Sequence, residues 1–291
     1  MIIKDCPVSA IHTFQVRTLR SLGYATRIAL ANKSHLRPEL RTDYRVDLSI
    51  YEAGAGRTRF VENIGVLAAD ARLAIDCAPY ETDHDIALVF HLVPTRLTEP
   101  TADVDRDELM FLASVQDHYV EYYRPDGLAA GILYQTGPFN HPVFSPKSTT
   151  LIQAPKYYAS TTLDSMLSVL NASSDPGYSR PARLQCRLVG DHGSIEWTEE
   201  VPAFVPRTLS MRDQLERRGV KLGAAPAFAC FYGLCENATV VPLTIVRDTA
   251  SGAIGLEHSL PPDYYAPPMR GPARATMLQR LRDSALFGAR G

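Results

Sequence analysis

Much of what marks the common protein classes is missing from this chain. No run of about 18 apolar residues is present, so no helical membrane span is expected. The opening MIIKDCPVSAIHTFQ has no basic segment followed by an apolar run. No secretory leader is therefore expected, and the expected location is the cytoplasm. The five cysteines, Cys6, Cys77, Cys186, Cys230 and Cys235, are odd in number and none stands in a CxxC pair. They read as reduced, mostly buried thiols rather than a disulfide framework or zinc ribbon. The formal net charge is only −2, which argues against broad nucleic-acid binding.

Catalytic signatures are scarce too. There is no G-x-G-x-x-G after a strand, no G-x-x-x-x-G-K-[ST], no H-E-x-x-H and no G-x-S-x-G. No cofactor and no metal is expected. Arginine strongly outnumbers lysine, which points to a GC-rich bacterial coding sequence.

What is present is enough apolar material for two cores. The 291 residues are 45% hydrophobic and 21% charged, and a domain takes roughly 150 residues. The chain also repeats itself. Residues 28–51 (IALANKSHLRPELRTDYRVDLSIY) and 167–189 (LSVLNASSDPGYSRPARLQCRLV) share an apolar run, Asn-x-Ser, a loop with Pro and Arg, and an alternating run. Asn32 matches Asn171 at an offset of 139 (171 less 32), and Val46, Leu48 and Ile50 match Leu184, Cys186 and Leu188 at 138. Apolar residues two apart mark a half-buried β-strand. Near the ends, RPDGLAAGILYQTGPFNHP from Arg124 and RDTASGAIGLEHSLPPDYY from Arg247 align at an offset of 123.

Short alternating strands separated by turns predict an all-β protein of two tandem, pseudo-repeated β-sandwich units. Unit 1 spans 1–147, with an acidic insertion at about 97–117, and unit 2 spans 148–270. Residues 271–291 follow, with Met277, Leu278, Leu281, Ala285 and Leu286 near helical spacing, which predicts an amphipathic C-terminal helix. The repeated Asn-x-Ser reads first as a turn element, because Asn and Ser side chains bond nearby backbone groups where a strand leaves a sheet.

With its strands, its Asn-x-Ser turns and the stretch FACFYGLCENATVVPLTIVRDTASGAIGL (228–256), each half resembles the small β-sandwich of the sensory-rhodopsin-transducer-like family. That resemblance implies a soluble, oligomeric interaction or signalling protein. A tandem copy departs from the family's single-domain pattern and implies that two halves stand in for two subunits.

The loops YQTGPFNHP and EHSLPPDYY are the leading candidate site. Their alignment sets Tyr134 against Glu257, Gln135 against His258, Asn140 against Asp263 and His141 against Tyr264. Lining one cleft between the units, they would supply His141 as general base or acid, Asp263 or Glu257 as its partner, and Tyr264 as a donor. The plain alternative is a pair of polar, exposed strand exits. Tyr122 and Arg124 in DHYVEYYRPDG would join Tyr134, Gln135, Asn140 and His258 in contacting a ligand, or else belong to an edge strand with cross-strand aromatic pairs.

Weaker candidates stand beside these. Glu81, Asp83, His84, Asp85 and His91 could ligate a metal, but strand spacing splits Asp83 and Asp85 from His84. His91 reads as a hydrogen-bonded core histidine, Trp197 as a half-exposed ring, and Glu62 and Glu199 as strand-edge charges at one repeat position. Cys230 and Cys235, with no activating neighbour, read as inert.

The leading functional expectation is a non-catalytic protein that binds a small molecule or a protein partner through the cleft between the units, with a homo-oligomer as a further expectation. The second is a cofactor-independent isomerase, cyclase or hydrolase that acts on a small, largely apolar molecule. The third is a structural assembly protein.

Overall fold

Alternation of apolar and polar residues becomes strand after strand. The structure is a computed structural model, and the residues it describes are 13–33, 41–52, 56–95, 116–133, 139–142 and 149–257. The first half holds β1 (Thr13–Arg17), β2 (Ala25–Asn32), β3 (Tyr44–Glu52), β4 (Gly56–Leu67), β5 (Arg72–Asp76), β6 (Ala87–Pro94), β7 (Gln116–Tyr123) and β8 (Ala129–Leu133). The second holds β9 (Thr150–Ala159), β10 (Leu163–Leu170), β11 (Ala182–Gly190), β12 (Gly193–Val201), β13 (Arg207–Ser210), the short helix α1 (Met211–Glu216), β14 (Ala227–Cys235), β15 (Val241–Asp248) and β16 (Ile254–Glu257). The protein is all-β. The predicted C-terminal helix and the insertion up to residue 115 lie outside the described residues.

Every strand pairing is antiparallel. In the first half two sheets run β1-β6-β3-β4 and β5-β2-β7-β8. In the second half the order is β9-β14-β11-β12, joined through β9 and β10 to β10-β15-β16, with β13 on β10. Strand for strand, the second pairing order matches the first. The register matches as well. Ile28 and Leu167, 139 apart, both face inward, and their cross-strand partners are Val120 and Thr244.

Those partners are 124 apart (244 less 120). The Arg124 and Asp248 N–H groups donate to Leu128 O and Ala253 O.

Phe14, Val16, Val46, Leu48, Ile50, Leu88 and Phe90 face β2 and β7 across the first sandwich. The opposite face of the same sheet is buried too. Across β1, β6 and β3 it reads Gln15, Val89, Ser49 in one row and Arg17, Ala87, Tyr51 in the next. Met166, Leu170, Val241, Leu243 and Ile245, on one face of β10 and β15, complete that core. The Arg17 guanidinium donates to the carbonyls of Ser168 and Val241. The other face of β10, with Leu167 and Val169, packs with Leu184, Cys186, Leu188 and Phe231 in a second core.

Four layers result: β5-β2-β7-β8, then β4-β3-β6-β1, then β13-β10-β15-β16, then β12-β11-β14-β9. At one edge β8 and β16 run side by side, so β1 is buried along its whole length. Among the described residues no element covers the outer faces of the first and last layers.

Candidate functional site

The matched loops are only partly within the described residues. Tyr134, Gln135, His258, Asp263 and Tyr264 lie outside them. Of the proposed acid–base set, His141 and Glu257 can be placed. His141 is buried, and burial pushes its imidazole below the ordinary value of 6.5, although the Asp175 carboxylate acts the other way. Glu257 is exposed at the end of β16, in register opposite Thr244. Among the described residues no hydrogen bond or ion pair joins the two.

Asn140, expected to meet a ligand, is instead a structural knot. It sits in the left-handed region at φ 52, which asparagine tolerates better than most residues. Its side-chain N–H group donates to Ala172 O at 2.8 Å and Thr239 O at 2.7 Å and reaches Asn171 Oδ1 at 3.3 Å. Its Oδ1 accepts the Thr239 N–H at 2.7 Å. Asn171 continues the network. Its amide donates to Arg180 O and Val201 O, and its Oδ1 accepts from the Tyr178 hydroxyl. Asn32, of the other Asn-x-Ser, is also buried and donates to Thr42 O at 2.9 Å, ten residues on, as Asn171 donates to Arg180 O nine residues on.

The remaining ligand candidates separate. Tyr122 is fully buried, and its hydroxyl donates to Arg17 O at 2.8 Å. Strand alternation turns it inward, away from Tyr119, Glu121 and Tyr123. Arg124 lies at the surface, where it meets Asp126 at 2.6 Å and Ser251 O at 3.3 Å and sits over the Tyr24 ring. It ties the β7–β8 turn to the β15–β16 turn. At the junction of the halves the described side chains are packed rather than parted by a cleft: Arg17, Tyr51 and Val89 are all buried.

A concavity lies on a different surface. On the outer face of the last layer an open depression of about 300 Å³ is lined by Arg183, Gln185, Arg187, Glu196, Trp197 and Thr198. Register builds it: Gln185 stands opposite Thr198, Arg187 opposite Glu196 and Arg183 opposite Glu200. Arg187 holds Glu196 at 3.2 Å and the Ser194 hydroxyl at 2.8 Å. Next to it, in register, come Tyr232, Cys230 and Lys156, then Tyr158 with its ring 5.6 Å from Phe228. The polar half of the alternation in RLQCRLV and SIEWTEE carried this face in the sequence, where it is indistinguishable from a solvated strand surface.

The weaker candidates also find places. Asp85 accepts from the Ser21 N–H and hydroxyl. Glu81 turns its side chain into the protein, and burial pushes its carboxyl up despite Arg20 at 3.7 Å. No group of three metal-ligating side chains occurs among the described residues. Glu62 and Glu199 lie on β4 and β12, edge strands of different sheets, and Glu62 pairs with Arg45. His91 Nε2 meets Ser49 Oγ at 2.9 Å in a buried pair. Asp47, opposite His91 in register, is held by Arg45 and the Asn63 N–H. Cys77, Cys186, Cys230 and Cys235 are free, and burial raises the thiols of Cys77, Cys186 and Cys235. No helix among the described residues is long and apolar enough to cross a membrane.

No protein-family model and no curated protein matches the chain. Among solved structures it is similar to a glycosyl hydrolase family 2 member from Bacteroides cellulosilyticus, at 9% identity and a TM-score of 0.22. The match covers 84% of this chain and 25% of that one, so the chain spans about a quarter of that protein's length.

Proposed function

We propose that this is a non-catalytic, accessory binding protein whose binding face is the outer surface of β9-β14-β11-β12. The observation that supports it is the open depression on that face, with donors and acceptors held on rigid strands and the aromatic pair Tyr158–Phe228 beside it. An exposed surface that combines aromatic, Arg and polar side chains suits a protein partner. It replaces the cleft between the units as the binding site. Tyr122 and Asn140 serve the fold instead, since their polar groups are committed to backbone partners.

We also infer that the halves are diverged copies of one unit. The matching strand orders and the equivalent Asn32 and Asn171 bonds support this. The transducer-like family that the sequence resembles is one of binding proteins, in line with the same reading. Free, buried thiols suit a reducing, cytoplasmic setting.

The test is native mass spectrometry of the gently purified protein, then of the denatured protein. The expected result is a bound protein chain that is lost in Arg187→Gln and Gln185→Leu, with melting temperature unchanged. A small molecule in the same place, lost in the same variants, would keep the face and change the partner class. A turnover abolished by His141→Ala at unchanged melting temperature would overturn the reading in favour of the acid–base enzyme.

A further inference from the structure

Among the described residues one interface between layers is formed once and not repeated. The outer face of β1-β6-β3-β4 is covered by the outer face of β10 and β15. By strand order, the first of these corresponds to the outer face of β9-β14-β11-β12, and the second to the outer face of β5-β2-β7-β8. Among the described residues one face of each kind is therefore joined inside the chain, and one of each kind is left uncovered at opposite ends of the four-layer stack.

We propose that copies of this chain assemble head to tail, the open face of β9-β14-β11-β12 taking the open face of β5-β2-β7-β8 of the next copy. This rests on the binding face assigned above and names its partner as a second copy. Two unlike faces that meet make a heterologous contact, which yields an open chain or a closed ring.

The surface chemistry of both faces fits. Four large hydrophobic residues are exposed among the described residues, and two of them sit here: Tyr119 on the first layer, 40% exposed, and Tyr158 on the last, 37% exposed. The first face is flat. Tyr119 lies down over Gly131, where any side chain would collide with its ring, and Ala29, Ala74 and Ala129 are exposed around it. On this face Arg27 pairs with Glu121 at 3.2 Å and lies over the Tyr123 ring, the Tyr123 hydroxyl donates to Asp76, and Arg72 is exposed at the β5 end. On the last layer Arg187 is likewise paired with Glu196. Charges of both signs are interspersed on each face, so packing rather than long-range attraction would hold them, and salt would change the association little.

The other two exposed hydrophobics, Phe60 and Val66, lie on the edge strand β4. There the register breaks twice and Asn63 sits at φ 54, which disfavours strand addition at that edge.

Sedimentation velocity of the full chain across a concentration series tests the proposal, with Tyr119→Arg and Tyr158→Arg as variants. The wild type should grow with concentration beyond a dimer or close into a ring. Each variant alone should be monomeric with an unchanged melting temperature. Mixed in equal amounts, the two variants should form a one-to-one heterodimer and nothing larger, because each keeps one sound face. If either arginine variant fails to fold, Tyr119→Ser or Tyr158→Ser takes its place. A wild type that stays monomeric, a variant that associates like the wild type, or a mixture that stays monomeric or grows past a dimer would overturn the proposal. A monomeric wild type that still carries a bound species lost in Arg187→Gln would sink self-assembly while leaving the binding face in place.

Discussion

Tyr51 and Phe204 stack across the junction of the two halves, with ring centroids 3.7 Å apart and planes within 6° of parallel. Tyr51 comes from β3 and Phe204 from the loop between β12 and β13. Phe204 holds a left-handed backbone at φ 60, and its N–H donates to Asn171 O at 2.7 Å.

Phe204→Ala should therefore destabilise by about 3–5 kcal/mol, the usual loss for a buried aromatic. Phe204→Gly should cost less than Phe204→Ala, because glycine adopts a positive φ without strain. A double-mutant cycle with Tyr51→Ala should show a coupling of about 0.5–1.5 kcal/mol. Urea unfolding of the four proteins measures all of this. A larger loss in Phe204→Gly than in Phe204→Ala would mean that the backbone strain is not felt.

Two neighbours on β1 should respond in opposite ways. Gln15 is 1% exposed, and neither end of its side-chain amide has a hydrogen-bond partner among the described residues. Gln15→Met keeps the volume and removes the unpaired groups, so it should stabilise by about 1–3 kcal/mol. Arg17→Met should destabilise by roughly 3 kcal/mol or more, since hydrogen bonds to charged groups contribute about 1.5–3 kcal/mol each. Denaturant midpoints distinguish them. A loss of stability in Gln15→Met would show that the amide is satisfied, for example by buried water.

The two Asn-x-Ser asparagines make different numbers of bonds. Asn171→Ala removes bonds to Arg180, Val201 and Tyr178 and disturbs Asn140. At about 1 kcal/mol for each hydrogen bond, it should cost roughly 2–4 kcal/mol and Asn32→Ala roughly 1–2. Melting curves of the single variants check the order. Equal losses would mean that the extra bonds of Asn171 add nothing.

Glu81 makes stability depend on pH. Its side chain is 3% exposed, and burial raises its carboxyl above the ordinary 4.5. A raised folded value gives stability that is fully present below 4.5 and lost as pH rises through the folded value. Glu81→Gln should therefore raise the melting temperature at pH 7, and the gain should fade as pH falls to 4.5 and below. Loss of the Arg20 contact at 3.7 Å should count little, since Arg20 is a third exposed. A variant less stable than the wild type at pH 7 would show that the ion pair outweighs the burial.

The strands were legible because period-two alternation is local. Val46, Leu48 and Ile50 must turn one way wherever the strand goes, and so must Leu184, Cys186 and Leu188. The Asn-x-Ser turns were legible for the same reason, since Asn32 bonds a loop only ten residues away. The site was not legible. Tyr122 and Arg124 look alike as polar neighbours in DHYVEYYRPDG, yet one is sealed beneath β1 and the other spans two turns.

By itself, then, the sequence determined the all-β class, the short strands and the repeated order of their motifs. Only the tertiary structure decided that the junction is packed, that Asn140 is a knot, and that, among the described residues, one sheet face at each end is left uncovered. A strand's pattern says that it has a polar face. Whether that face meets water or another sheet depends on residues more than a hundred positions away, as Arg17 does on Ser168 and Val241.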